Sequence, residues 1–274
     1  MRWPGSALLL LAGAGCDQLS ELLPTVSFDG LEIRDITFAQ ADVDFVFLVE
    51  NPHPVSISLS SFDYALALKD VPFVEGDNPD GFTLEALGAS DLVIPLSLGY
   101  TDIWNTIQAT RGEDVIDFLL SGGMGFDTPA GHVRLPYSED GDFPALRTPT
   151  FSFQRIRTPS VDLLAGIAEL EVDLGVDNEI GSTLFFQSFD YGLSLGGAPV
   201  ASGLVPSFDV AGATTGTVTL PVTVELLSLG AGVVDAILDG GAVDVGLDAT
   251  MDVDTPFGIV PLTIDESGQV SISG

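Results

Sequence analysis

Three residue types are scarce in this chain, and each scarcity excludes something. Among 274 residues there is one cysteine, two histidines, and eight lysines and arginines together. One cysteine, Cys16, rules out an internal disulfide framework. A zinc site needs three or four ligands, and Cys16, His53 and His132 stand at no usual spacing. We therefore expect no metal and no cofactor. A Ser-His-Asp hydrolase would need His53 or His132 as its base. His53 lies between two prolines and His132 follows a glycine, so both are expected in surface loops. Eight basic residues against 40 acidic ones leave a net charge of −32. Such a surface repels nucleic acid. Long apolar runs are also missing. Ala7 to Ala14 falls well short of the ~20 residues a spanning helix requires. The richest glycine stretch, Ser121-Gly122-Gly123-Met124-Gly125, continues into Phe126-Asp127 and lacks the Lys-Ser or Lys-Thr of a phosphate loop.

What remains is apolar and rich in turns: 46 % hydrophobic residues, 31 Gly and 17 Pro. Disordered chains combine high charge with low hydrophobicity, so this one is expected to fold. Its organising feature is a repeat. Val46 to Tyr64 contains an apolar run, Asn51-Pro52, and then Phe62-Asp63-Tyr64. Val172 to Tyr191 contains an apolar run, Asn178, and then Phe189-Asp190-Tyr191. Asn51 and Asn178 stand 127 positions apart (178 − 51), as do Tyr64 and Tyr191 (191 − 64). Gly76 and Gly203 keep that offset, as do Gly141 and Gly268 and the turns Asp127-Thr128-Pro129 and Asp254-Thr255-Pro256. Ile94-Pro95-Leu96 and Leu220-Pro221-Val222 match at one residue less. A period this long denotes whole domains, not the 20–50-residue units of solenoids.

Alternation of apolar and polar residues is the signal of half-buried strands. It runs through Val26 to Phe38, with Gly30 breaking the register, and through Ala41 to Glu50, whose apolar second half marks a central strand. Ala242 to Asp254 shows it most clearly: Val243, Val245, Leu247, Ala249, Met251 and Val253 on one face, four Asp on the other. An unpaired buried carboxylate is very costly, so the Asp face must meet water, and its like charge discourages edge-to-edge pairing. Pro95 inside an apolar strand points to an edge or a bulge. Thr101 to Thr110 and Leu226 to Leu238 change to helical spacing, the latter with Leu226, Leu229, Val233, Ile237 and Leu238 on one side. Strand is expected again over Val115 to Phe126 and from about His132 to Leu135. The reading is mainly β: two tandem antiparallel β-sandwiches of about seven strands, each with one short helix. They cover residues 26–147 and 148–274.

The N-terminus carries one early positive charge, Arg2, then the short apolar run, then small residues, as an export signal does. Gly13-Ala14-Gly15-Cys16 resembles the bacterial lipoprotein box, with Gly13 where the family usually carries Leu. The resemblance implies a signal peptide over 1–15, a lipid on Cys16 and a tether over 16–25. It places the chain outside the cytoplasm, anchored to the cell envelope, with inner and outer membrane undecided.

The ordered marks Asn51-Pro52, Tyr64, Gly76 and Ile94-Pro95, then Asn178, Tyr191, Gly203 and Leu220-Pro221, resemble the late embryogenesis abundant group 2 family. Its unit is also called the water stress and hypersensitive response domain. The second copy has Glu179-Ile180 after its Asn, which leaves room for a different turn. The resemblance implies an immunoglobulin- or fibronectin-III-like sandwich, a role in desiccation or osmotic stress, and no catalytic residues to carry over. From the residues themselves, Asn51 and Asn178 are expected to close turns through side-chain-to-backbone hydrogen bonds, and Tyr64 and Tyr191 to pack in the core or between sheets. Glu75, Asp77 and Asp80, and Glu139, Asp140 and Asp142, read as solvated loops lacking the ligand order of a calcium loop. The function expected is a non-enzymatic stress-protective or structural envelope lipoprotein. The alternative is a module that binds an envelope protein or peptide by strand addition. Partners are the membrane, through the lipid, and a protein of the envelope. The sequence assigns no oligomeric state.

Overall fold

The computed structural model describes residues 23–78, 82–107, 112–129 and 131–273. Contacts divide the chain into two compact units, residues 1–109 with 115–145, and residues 110–114 with 146–274.

The first unit runs β1 (Thr25–Ile36), β2 (Gln40–Glu50), β3 (Ile57–Leu68), β4 (Val71–Asn78), β5 (Thr83–Leu84), β6 (Ala89–Gly99), α1 (Tyr100–Ile107), β7 (Val115–Thr128) and β8 (Gly131–Pro144). One sheet has the order β1-β2-β6 and the other β4-β3-β7-β8, with β5 on β3. β2 is central, and Val43, Phe45, Phe47 and Val49 are fully buried. The sheets meet through aromatic rings: Phe45 lies 5.1 Å from Phe118, and Phe47 lies 4.9 Å from Tyr137. Rings of this size dominate core energetics, each contributing roughly 1.5–3 kcal/mol by burial. The pairing of β1 with β2 shifts register between Phe28 and Gly30, where a bulge accommodates the glycine. Pro95 lies exposed on the edge strand β6. There its missing N–H interrupts no inner ladder.

The second unit repeats the order with β9 (Thr150–Asp162), β10 (Ile167–Asp177), β11 (Leu184–Phe186), β12 (Phe189–Leu195), β13 (Ala198–Val205), β14 (Phe208–Val210) and β15 (Thr215–Glu225). A 3₁₀ turn (Leu226–Ser228), α2 (Ala231–Asp239), β16 (Gly241–Thr255) and β17 (Gly258–Ser273) complete it. Its main path is β13-β12-β16-β17-β9-β10-β15, continuous because β17 and β9 pair in parallel at Ile272–Ile156 and Ser273–Arg157. Every other described strand pairing is antiparallel, as expected, and this short parallel contact is an addition to that pattern. In the first unit the corresponding strand, β8, stops at Pro144, and among the described residues no such bridge joins its two sheets.

Three expectations are revised. β8 runs to Pro144 rather than ending near Leu135, so Glu139, Asp140 and Asp142 lie in a strand, as do Glu75 and Asp77 in β4. An edge position lets β8 tolerate Pro136, because its outer N–H groups face no partner strand. The helix expected over Leu226 to Leu238 is split at Gly230, and Leu238 is 44 % exposed rather than on the buried side. β16 is an inner strand between β12 and β17. Its Asp row therefore guards no edge, although Val243 to Val253 are buried at every second position.

Candidate functional site

The deepest polar groups in each unit are the repeat asparagines. Asn51 is 2 % exposed and Asn178 fully buried. The Asn51 side-chain amide donates to the carbonyls of Val55 (3.0 Å), Leu84 (3.4 Å) and Glu85 (2.8 Å), and its Oδ1 accepts the N–H of His53 (2.9 Å). The Asn178 amide donates to Ser182 (2.9 Å), Val210 (3.0 Å) and Ala211 (3.3 Å), and its Oδ1 accepts the N–H of Ile180 (3.1 Å). Each Asn ties the turn after its strand to a distant hairpin and satisfies carbonyls that would otherwise be buried unpaired. The second turn keeps the same bonds without the proline, because they need only the Asn side chain and backbone atoms.

Tyr64 pairs across the ladder with Gly76, and Tyr191 with Gly203. A Cβ on Gly76 would overlap the Tyr64 ring, and one on Gly203 would stand 3.1 Å from the Tyr191 ring. The glycine is there so that the ring can lie flat over its neighbour. Burial raises the Tyr191 hydroxyl above its ordinary pKa. That hydroxyl donates to the Pro221 carbonyl at 3.3 Å, linking β12 to β15. The stretch Ser121 to Gly125 lies within β7 and is no loop. A Cβ on Gly122 would strike the Asp63 carbonyl, and one on Gly123 the Arg134 guanidinium.

The histidines separate. His53 is 6 % exposed and its Nε2 has no hydrogen-bond partner, which corrects its placement in a surface loop. It occupies the position of Ile180 in the second unit (180 − 53 = 127), so the ring serves there as an apolar plug. His132 is exposed and its Nδ1 lies 3.0 Å from Asp127 Oδ1. Among the described residues no group of three or more His, Cys, Asp or Glu is arranged to hold a metal ion. Asp80 and Cys16 lie outside the described residues. Burial pushes the Glu139 carboxyl up, with Asp140 adding to it.

One cluster escaped sequence reasoning. Asp173, 2 % exposed on β10, accepts from Thr219 Oγ1 (2.7 Å), Arg155 Nε (2.6 Å) and Arg157 (3.2 Å). The Thr219 hydroxyl and the two guanidinium groups hold its carboxyl down at about 2. The arginine side chains are 62 % and 41 % exposed. The carboxyl is thus roofed by arginines on the outer face of the sheet and does not sit in the core. The signal lay in two arginines spaced i, i+2 in a chain with so few cations. The other described arginines are also paired: Arg34 with Asp44, Arg134 with Asp63, and Arg147 with Glu179. Its bond to Arg134 lowers the Asp63 carboxyl below its usual range.

Concave sites are weak. One open depression of about 500 Å³ is lined by Gly192, Ser194, Val200, Ser202 and Asp248, and another of about 320 Å³ by Thr25, Glu50, Pro52 and Leu87. Neither brings together the convergent polar groups of a ligand pocket. No described helix is long and apolar enough to cross a membrane.

Comparison with known proteins agrees with the repeat. The family model described as late embryogenesis abundant protein matches residues 46–141 and 173–268. A desiccation-related protein of Arabidopsis thaliana is 26 % identical over 127 residues, covering 45 % of this chain and 76 % of that protein. The solution structure of a protein assigned to the late embryogenesis abundant group is 23 % identical, covers 48 % of this chain and 77 % of its own, and has a TM-score of 0.39. A crystal structure of an Archaeoglobus fulgidus protein is 16 % identical over 43 % of this chain and 97 % of its own, with a TM-score of 0.34. This chain belongs to the late embryogenesis abundant protein family and carries the family's domain twice.

Proposed function

We propose that the chain is a non-enzymatic, lipid-anchored protein of the cell envelope. Its two domains limit damage during desiccation or osmotic stress, and the working surface is the carboxylate-covered outside of the sheets. The observation that carries this reading is the set of like-charge pairs set directly opposite one another across strands: Glu32–Asp44, Asp35–Asp42, Asp63–Asp77, Asp117–Asp142 and Asp248–Asp265. Such oppositions each cost up to ~1 kcal/mol. A fold that keeps several of them favours a hydrated, self-repelling surface over maximal stability. Carboxylates hold water, and net charge far from zero keeps the protein apart from its neighbours as water is withdrawn. Kinship with a desiccation-related protein supports the physiological setting. The lipid on Cys16 supplies the anchor.

Two experiments bear on this reading. Freeze–thaw of a labile enzyme with the full chain present should preserve activity better than an equal mass of albumin. No advantage over albumin would favour the alternative, a module that binds an envelope protein or peptide. Mass spectrometry of the mature protein from the envelope should find a lipid on an N-terminal Cys16, and processing should stop under globomycin. An unmodified Cys16 would end the anchoring half of the proposal.

A further inference from the structure

The hairpin between β9 and β10 differs from its counterpart in the first unit in a way that exposes aliphatic side chains. In the first unit four residues separate the paired Ile36 and Ala41; in the second, six separate Val161 and Ala168. Thr37 Oγ1 organises the shorter turn by accepting the N–H groups of Ala39 and Gln40, both at 3.1 Å. Asp162 Oδ1 does the same in the longer one for Leu164 and Ala165, both at 3.0 Å. The base of each turn is fastened alike: the Tyr100 N–H donates to Ala39 O, and the Leu226 N–H to Gly166 O, both at 2.8 Å. The apolar residue at the shorter tip, Phe38, is folded in and 8 % exposed. At the longer tip Leu163 is 69 % exposed and Leu164 fully exposed. Leu227, next to the fastening residue, is 96 % exposed at the same end.

We infer that this leucine tip is a membrane-contacting surface that enters the outer part of a bilayer of zwitterionic lipid. Three observations favour lipid. The tip is a convex projection, suited to entering a soft layer and unsuited to enclosing a ligand. Three of its backbone polar groups, the N–H of Leu164, the N–H of Ala165 and the carbonyl of Gly166, are already hydrogen-bonded within the protein. Each group bonded in this way lowers the cost of bringing the turn against hydrocarbon. Asp162, Glu169 and Glu225 stand at the base of the turn and in its flanking ladders. Below inserted leucines these carboxylates meet the headgroup layer, where the ammonium groups of zwitterionic lipids are complementary, whereas anionic lipids are repelled. The inference deepens the envelope reading and rests on it for physiological meaning. A single apolar contact of this size gives only marginal, reversible binding, so it would orient a domain already tethered at Cys16.

The test uses the full chain prepared without lipid modification and co-sedimented with phosphatidylcholine vesicles. The triple variant Leu163→Ser, Leu164→Ser, Leu227→Ser carries the same N-terminus, so any binding through that end cancels in the comparison. Loss of three exposed leucines should cut the partition coefficient by roughly tenfold or more, with little dependence on salt and an unchanged unfolding midpoint. In a second measurement, Leu164→Trp should add an emission component that shifts to the blue on mixing with vesicles. Equal partitioning of parent and triple variant overturns the inference, as does an unshifted Leu164→Trp spectrum. A concentration-dependent dimer that the serine substitutions abolish would assign the tip to a second copy and also overturn it. Failure here leaves Cys16 processing and freeze–thaw protection untouched, so the two readings fail separately.

Discussion

The outer faces of β1-β2-β6 and of β9-β10-β15 are the same surface built twice with different chemistry. In the first unit Gly30 and Val93 flank Val46, and Glu32 opposes Asp44. In the second, Arg155 and Thr219 flank Asp173, and Arg157 opposes Glu171. One face is a half-covered apolar patch with a carboxylate repulsion relieved by Arg34 at 2.8 Å from Asp44. The other is an ion cluster with most of its partners satisfied. Both strand triplets hold the same pairing, so the fold does not depend on which chemistry occupies the outside. It does depend on what lies inside: the asparagine closure and the tyrosine-over-glycine contact are kept in both units. The second unit adds the parallel pairing of β17 with β9 and two residues in the β9–β10 hairpin.

The largest effect should come from the shared interior. Asn51→Ala or Asn178→Ala leaves several buried carbonyls without a donor and should cost about 2–4 kcal/mol of unfolding free energy, with similar losses in the two units. A loss confined to one substitution would break the equivalence. Next come the glycines. Gly76→Ala should cost about 1–3 kcal/mol by displacing the Tyr64 ring, and Gly203→Ala less than ~1 kcal/mol, because overlap there is milder. Urea midpoints of the two variants check the order.

The outer faces should respond more weakly. Asp173→Asn should destabilise by about 1–2 kcal/mol at neutral pH, well below the cost of breaking a core ion pair because its arginines are half in water. Its pH signature has a definite sign. A carboxyl held down at about 2 when folded, against roughly 3.9 unfolded, stabilises above the unfolded value. That contribution is lost as pH falls from about 4 towards 2. The variant should lack this part of the acid unfolding curve, and Asp63, lowered by Arg134, should act in the same direction. His53→Ile, which imports Ile180, should stabilise the first unit by about 0.5–2 kcal/mol, since a buried nitrogen without a partner is removed. A neutral result would mean that the ring gains elsewhere what its Nε2 lacks. Smallest of all, Asp248→Asn should stabilise by about 0.3–0.5 kcal/mol at low salt, by relieving its opposition to Asp265, seen as a slight rise in melting temperature. Added salt should erase the difference by screening.

Most of the strands were legible because burial on one face imposes a period of two. That pattern located β2 as a central strand, the alternating face of β16 and the break in register at Gly30, which the structure resolves as a bulge. It failed at β8, where Pro136 and the run Glu139-Asp140-Gly141-Asp142 imitate a loop. An edge strand with a wet outer face need obey neither propensity nor alternation. His53 was misplaced for a related reason: flanking prolines announce a turn, but not whether its tip folds inward. The depth of Asn51 and Asn178 could be inferred only in part, since a turn-closing asparagine reads the same whether solvent reaches it or not.

The amino-acid order alone determined the duplication, the mainly β character, the surplus of carboxylates and the family. Each is a property of spacing or composition that survives any arrangement in space. Only the tertiary structure decided which carboxylates oppose one another, that Asp173 is roofed by Arg155 and Arg157, and that the Leu163–Leu164 tip projects while Phe38 turns inward. Those facts depend on register and on a two-residue difference in one hairpin. Pairing across strands joins residues far apart in the chain, and no local pattern encodes which of them will meet.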